Sequence, residues 1–129
     1  MQPKISVVVP CFNAAPYVVA TLRSVLAQSG FDLEIVVVDD GSTDGSADVV
    51  AAAAMPEVTV LRRENRGAAA ARNEGIANAR YDWIAFADAD DLWLPGKLQA
   101  QWALLAAQPD ARMVYTDVHL WPSVEPAPG

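Results

Sequence analysis

Positive charge is scarce in this chain: nine Lys and Arg stand against sixteen Asp and Glu, a formal net charge of −7. Phosphate backbones are held chiefly by clustered Lys and Arg, so this balance argues against a nucleic-acid groove. A single cysteine, Cys11, excludes an internal disulfide and fits a reducing compartment such as the cytosol. The one histidine, His119, lies far along the chain, which argues against a catalytic thiol pair and leaves Cys11 to read as a small apolar core residue. Long hydrophobic runs are missing as well, the longest falling far below the roughly 20 residues of a membrane-spanning helix. The run from Ile5 to Phe12 contains Pro10 and has neither a basic leader nor a small-residue cleavage site, so it is expected to be a strand of a cytoplasmic protein. Glycine is absent where a dinucleotide fold needs it: the first apolar run is followed by PCFNAAPY, and no Walker-type loop occurs anywhere.

What the chain does have is apolar residues in an alternating plan. About half of its 129 residues are apolar, enough for one core and one domain. KISVVVP (4–10) is β-branched on successive positions, as suits a strand covered on both faces. Val18, Leu22, Val25 and Leu26 then recur at helical spacing, with Pro16 in the expected first turn and Gly30 beyond the end. The unit repeats: strand 33–39 with a helix over about 46–54, strand 58–63 with a helix over about 68–80, and strand 83–88 with a helix after Pro95 that puts Leu98, Trp102 and Leu105 on one face. RMVYTDV (112–118) predicts a fifth strand, and 121–129 a Pro-rich tail outside a domain spanning 1–120. Such alternation implies an α/β fold with a three-layer, mostly parallel sheet.

In open parallel sheets, ligands collect beyond the carboxyl ends of the strands. Three groups fall there by placement: Pro10, Phe12 and Asn13 after the first strand, Asp39 and Asp40 after the second, and Asp88, Asp90 and Asp91 after the fourth. Five carboxylates on one rim repel one another, and a cation or hydrogen-bond donors must offset that repulsion. Hard oxygen ligands suit Mg2+ or Mn2+, which accept one or two protein carboxylates together with substrate phosphates. Asp88 or Asp91 also has an ordinary reading as a cap of the helix near Pro95 or as a turn residue, and Ser42, Thr43 and Asp44 are expected to cap the second helix, whereas Asp39 at its strand end has no capping role that requires it. Arg72 is either a solvated helix residue or a cation able to grip phosphate and brace the aspartates. Trp93 and Trp102 read as core or a domain contact in preference to a sugar platform, and Phe12 either stacks on a nucleobase or packs beneath its loop.

The blocks SVVVPCFNA, EIVVVDDGSTDGS, NRGAAAARNEGI and FADADDLWLP, in this order and spacing, resemble the family 2 glycosyltransferases that use nucleotide-diphospho-sugars. The resemblance covers about residues 5 to 95. It implies the GT-A fold, a UDP-, GDP- or dTDP-linked donor, Mg2+ or Mn2+ as cofactor, and transfer with inversion at the anomeric carbon to a glycan or lipid acceptor. It places Pro10, Phe12 and Asn13 in the base pocket and Asp39 on the base or ribose, with Asp40 supporting the turn. The family's Asp-X-Asp motif maps onto Asp88, Ala89 and Asp90, making Asp90 the main metal ligand, with Asp88 facing the ribose or a metal-bound water as the second acid of the metal site. Asp91 then faces the sugar or backs the metal, and Arg72 partners the aspartates or diphosphate. Complete members run to roughly 220 residues or more with the catalytic base in their second half, so the base is expected to be absent from this truncated chain. Members often work at the cytoplasmic face of the inner membrane, which makes peripheral membrane association part of the same expectation.

Two rivals share the outline. VVVDD followed two βα units later by DLWLPG resembles a phosphoacceptor receiver domain. That fold starts at the acid-pair strand and needs a lysine late in the sheet, whereas a full βα unit comes first here and only Lys97 and Arg112 follow Asp91. A noncatalytic interaction domain is the other; an exposed apolar patch beside the fifth strand would favour it and can also drive formation of a homodimer.

Overall fold

Val7, Val8 and Val9 on one strand, and Val36, Val37 and Val38 on the next, are all buried, which is possible only when both faces of the sheet are covered. The computed structural model describes residues 2–116 and shows how that covering is done. Four strands, β1 (Lys4–Cys11), β2 (Asp32–Asp40), β3 (Val58–Arg63) and β4 (Trp83–Phe86), form an all-parallel sheet in the order β3-β2-β1-β4. Helices α1 (Val18–Leu26), α2 (Ser46–Ala52), α3 (Ala68–Asn78) and α4 (Lys97–Ala107) follow the strands in alternation. Because side chains alternate along a strand, Ile5, Val7, Val9, Ile35 and Val37 share one core with Val18, Leu22 and Val25 of α1, Val50 of α2 and Leu98 of α4. Val36 and Val38 form the other core with Ala71 of α3. Three layers result, with β1 and β2 central.

Helix α3 approaches the sheet closely because its inner stripe is small. Ala71 is fully buried, and a Cβ built on Gly75 would come within 2.3 Å of Val8 Cγ1. Alanine at this position gains about 1 kcal/mol of helix propensity, but a methyl pressed into a fully buried valine forces a backbone shift costing about 1–3 kcal/mol. We expect Gly75→Ala to lower stability in urea denaturation by up to about 2 kcal/mol, the packing cost less the propensity gain.

Three expectations are corrected. The fourth strand ends at Phe86 instead of residue 88, so Asp88 lies on a loop; only Ala87 N–H extends the ladder, donating to Val8 O at 3.1 Å. Residues 112–116 form no strand, since they pair with no strand among the described residues, and Met113 and Tyr115 are exposed. Positions 117 and 118 of that expected strand, and the Pro-rich stretch 121–129, lie outside the described residues. Pro16 precedes α1 in a turn closed by Tyr17 N–H to Ala14 O at 2.9 Å, not in the first helical turn. On the outer edge, Trp83 and Phe86 of β4 are half exposed beside α4, where Trp83 meets Trp102 edge-on at 5.2 Å. No helix among the described residues is long and apolar enough to cross a membrane.

Candidate functional site

The carboxyl ends of β1 and β2 are adjacent, with Cys11 paired in register to Asp39. Beyond them two loops interlock. Asn13 takes φ 50, a left-handed conformation that asparagine tolerates better than most residues, and this turns its backbone and side chain toward the DGSTDG turn. Its N–H donates to Ser42 Oγ at 2.9 Å, and its Oδ1 accepts from Thr43 N–H at 2.8 Å. Ala14 N–H donates to Ser46 Oγ at 2.9 Å and Ala15 N–H to Asp44 Oδ2 at 3.0 Å. Ser42 and Thr43 therefore clamp the first loop instead of capping α2, whose N-cap position is Gly45 at φ 84, while Asp44 does both, clamping the loop and accepting the first N–H of α2. Asp44 also accepts from the Ser46 hydroxyl and N–H, and these bonds, the hydroxyl first, hold its carboxyl below the usual range. Phe12, between the clamp and the strand, is left 52% exposed, so its ring is available to a planar ligand.

Asp39 and Asp40 are both buried yet face different tasks. Asp39 Oδ1 accepts Ser42 N–H at 3.3 Å, closing the turn. Asp40 receives Arg66 N–H on Oδ1 and Gly67 N–H on Oδ2, each at 2.9 Å, with Arg63 Nε 3.5 Å from Oδ1. Arg63 continues to Glu74 at 2.7 Å and to the Ala70 carbonyl at 3.0 Å. Gly41, at φ 82, lies so close to Asn65 that a Cβ there would meet its backbone nitrogen at 2.9 Å. Asp40 is thus turned toward the β3–α3 connection, which it fastens to the end of β2. Cys11 is buried beneath this rim, and burial pushes its thiol up to about 11, so it stays protonated at neutral pH.

The third group lies across the mouth of β1. Asp88, Asp90 and Asp91 are exposed, while the intervening Ala89 is buried. Arg72, one turn into α3, reaches Asp88 at 3.7 Å. Asp91 N–H bonds Asp88 O at 3.1 Å, closing the turn that groups the acids. Although Asp91 is exposed, protein crowds one side of its carboxyl, and that desolvation raises its pKa, with the charges of Asp88 and Asp90 adding to the rise. Among the described residues no three His, Cys, Asp or Glu side chains converge tightly enough to enclose a metal ion unaided. The donor set still fits Mg2+ or Mn2+, which use one or two carboxylates and complete their octahedron with water and phosphate oxygens.

Sequence reasoning missed what holds this acidic loop. Thr21, Ser24 and Gln28 follow one another at intervals of three and four along α1 and its end, and all three bond to the chain between β4 and α4. Thr21 Oγ1 donates to Ala89 O at 2.9 Å, and Ser24 Oγ accepts Trp93 N–H at 3.0 Å. Gln28 donates to Leu94 O at 2.9 Å and accepts Leu98 N–H at 3.1 Å. The one available signal was polar residues on a stripe of α1 next to its apolar face.

Residues 6–125 match the sequence model of Glycosyl transferase family 2. The chain is 43% identical over 98 residues to the succinoglycan biosynthesis protein ExoO of Rhizobium meliloti, covering 75% of this chain and 28% of ExoO. Its fold is similar to that of the mannosyltransferase PcManGT from Pyrobaculum calidifontis, solved in complex with GDP-Man and Mn2+, with a TM-score of 0.75, 33% identity and coverage of 82% of this chain and 33% of that one. TarS of S. aureus, residues 1–349 in complex with UDP-GlcNAc, gives a TM-score of 0.72 at 27% identity, covering 88% of this chain and 37% of that one. The chain spans 28% to 37% of the length of these relatives.

Proposed function

Because the chain belongs to Glycosyl transferase family 2 and has the fold of GT-A glycosyltransferases, we propose that its rim binds a nucleotide-diphospho-sugar through a divalent cation and serves transfer of the sugar, with inversion, to a glycan or lipid acceptor. In this reading residues 1–120 form the nucleotide-sugar-binding portion. The observation that carries it is the 3.7 Å contact between Arg72 and Asp88, which brings a cation from α3 onto the acidic loop that follows β4, the strand paired with β1. Exposed Phe12, with Pro10 and Asn13, lines the base pocket, and Asp39 accepts from the base or ribose. Asp40 supports that pocket from behind by holding the β3–α3 connection.

Asp90 is the main metal ligand, Asp88 faces the ribose or a metal-bound water, and Asp91 faces the sugar. Mg2+ or Mn2+, when bound, offsets the negative charge that develops on the departing diphosphate. Arg72 adds a second positive charge on the same side and keeps Asp88 oriented. No residue of this chain is assigned as the catalytic base. That GDP and UDP sugars occupy the two solved relatives supports a nucleotide sugar as the ligand class. A receiver-type phosphoacceptor is disfavoured, since β1 with its following α1 precedes the acid-pair strand and the family match extends across it.

Calorimetry with UDP, GDP and dTDP, each with and without Mn2+, tests the proposal. We expect one of them to bind and its affinity to rise when Mn2+ is added. Absent binding, or binding indifferent to metal, would refute it.

A further inference from the structure

We infer that Thr21, backed by Ser24 and Gln28, is a positioning residue for the divalent cation: its buried hydroxyl sets the direction in which Asp88 and Asp90 present their carboxylates. The inference rests on the metal-dependent reading of the rim given above. The last ladder bond of the sheet on this side is Ala87 N–H to Val8 O, and α4 begins at Lys97. Between them the chain carries all three acids without strand or helix to hold them. Thr21 is fully buried, and its hydroxyl bonds the carbonyl of Ala89, the residue between the two aspartates. That bond fixes the Ala89–Asp90 peptide plane, and the buried Ala89 methyl fixes the residue's inward side, so the side chains on either side are turned outward. Asp88 has Arg72 as an additional brace; Asp90 has no cationic partner among the described residues and depends on its backbone. Ser24 and Gln28 hold the following residues through Trp93, Leu94 and Leu98, and Ser24 is itself tied to α1 by its hydroxyl bond to Thr21 O at 2.6 Å. A rigid helix, anchored in the core by Val18, Leu22 and Val25, thereby serves as the template for the acidic loop.

Groups one bond behind a metal ligand typically change metal affinity by about 10- to 100-fold when removed. Thr21→Val keeps the volume and β-branching and deletes only the donor; Thr21→Ser keeps the hydroxyl. The test is electron paramagnetic resonance titration of Mn2+ into the whole chain in the presence of UDP or GDP, at a temperature where circular dichroism shows each variant folded. We expect Thr21→Val to weaken Mn2+ uptake about tenfold, Thr21→Ser to remain within about twofold of the parent, and metal-free nucleotide binding to be the same in all three. Should Thr21→Val fail to fold, Ser24→Ala decides, with a weakening in the same direction expected. A folded Thr21→Val, or a folded Ser24→Ala where Thr21→Val does not fold, with parental Mn2+ affinity overturns the inference, for it would mean that the bond contributes to stability alone. Absence of Mn2+ uptake by the unsubstituted chain overturns the metal reading of the rim, and this inference with it.

Discussion

Replacing Asp90 by alanine is expected to abolish the metal-dependent part of nucleotide binding, weakening Mn2+ uptake by about 100-fold or more. The magnitude follows from comparison: loss of a group behind a ligand costs about 10- to 100-fold, and loss of a ligand itself belongs at or above the top of that range. The direction follows from electrostatics. Asp88, Asp90 and Asp91 share a short turn, and their mutual repulsion already raises the pKa of Asp91 on top of its desolvation. Removing Asp90 relieves that repulsion, so the fold is expected to hold or gain slightly in stability while the metal site is lost. Asp88→Ala should weaken metal less, since Asp88 is shared with Arg72 at 3.7 Å and its loss frees that cation to meet the diphosphate directly. Titration of Mn2+ with nucleotide into both variants checks the order. A smaller effect at Asp90 than at Asp88 would reverse the assignment of roles.

Asp40→Ala should produce the opposite pattern, a large loss of stability. Its carboxylate is buried, accepts two backbone N–H groups at 2.9 Å and lies 3.5 Å from the Arg63 guanidinium. Breaking a buried pair by removing one partner costs about 3–5 kcal/mol because the other charge is left behind. Arg63 retains Glu74 at 2.7 Å, which offsets part of that cost, so about 3 kcal/mol is expected, at the lower end of the range. The connection carrying Arg66 and Gly67 into α3 would loosen at the same time, and Arg72 rides on that helix. Chemical denaturation measures the loss, and a change below about 1 kcal/mol would show that the paired N–H groups find water without penalty.

Comparing the two aspartates explains which features the sequence made legible. KISVVVP and LEIVVVD could be read as doubly covered strands because continuous β-branched runs have few other uses. Position at a parallel strand end then brought Asn13, Asp39 and Asp88 to one rim without any knowledge of side-chain contacts. Contacts between loops were another matter. Ser42, Thr43 and Asp44 have the composition of a helix cap, and nothing local reveals that their partners are residues 13–15. Thr21, Ser24 and Gln28 were invisible for a related reason: in a helix, polar residues at such spacing normally face water, and here a loop nearly seventy residues later occupies that place. The stretch 112–116 misled because strand-forming composition says nothing of whether a sheet edge is there to receive it.

The proposed divalent cation lies between the Asp88–Asp90 turn and a donor's diphosphate. Paramagnetic broadening of backbone amide signals by Mn2+, with the best-binding nucleotide diphosphate present, locates that ion directly. The amides of Ala87 to Asp91 and of Arg72 are expected to broaden first, while those around Glu34 and Arg80, at the opposite end of the sheet, persist. Broadening that is uniform, or that begins at another acidic surface such as Asp48, would contradict it.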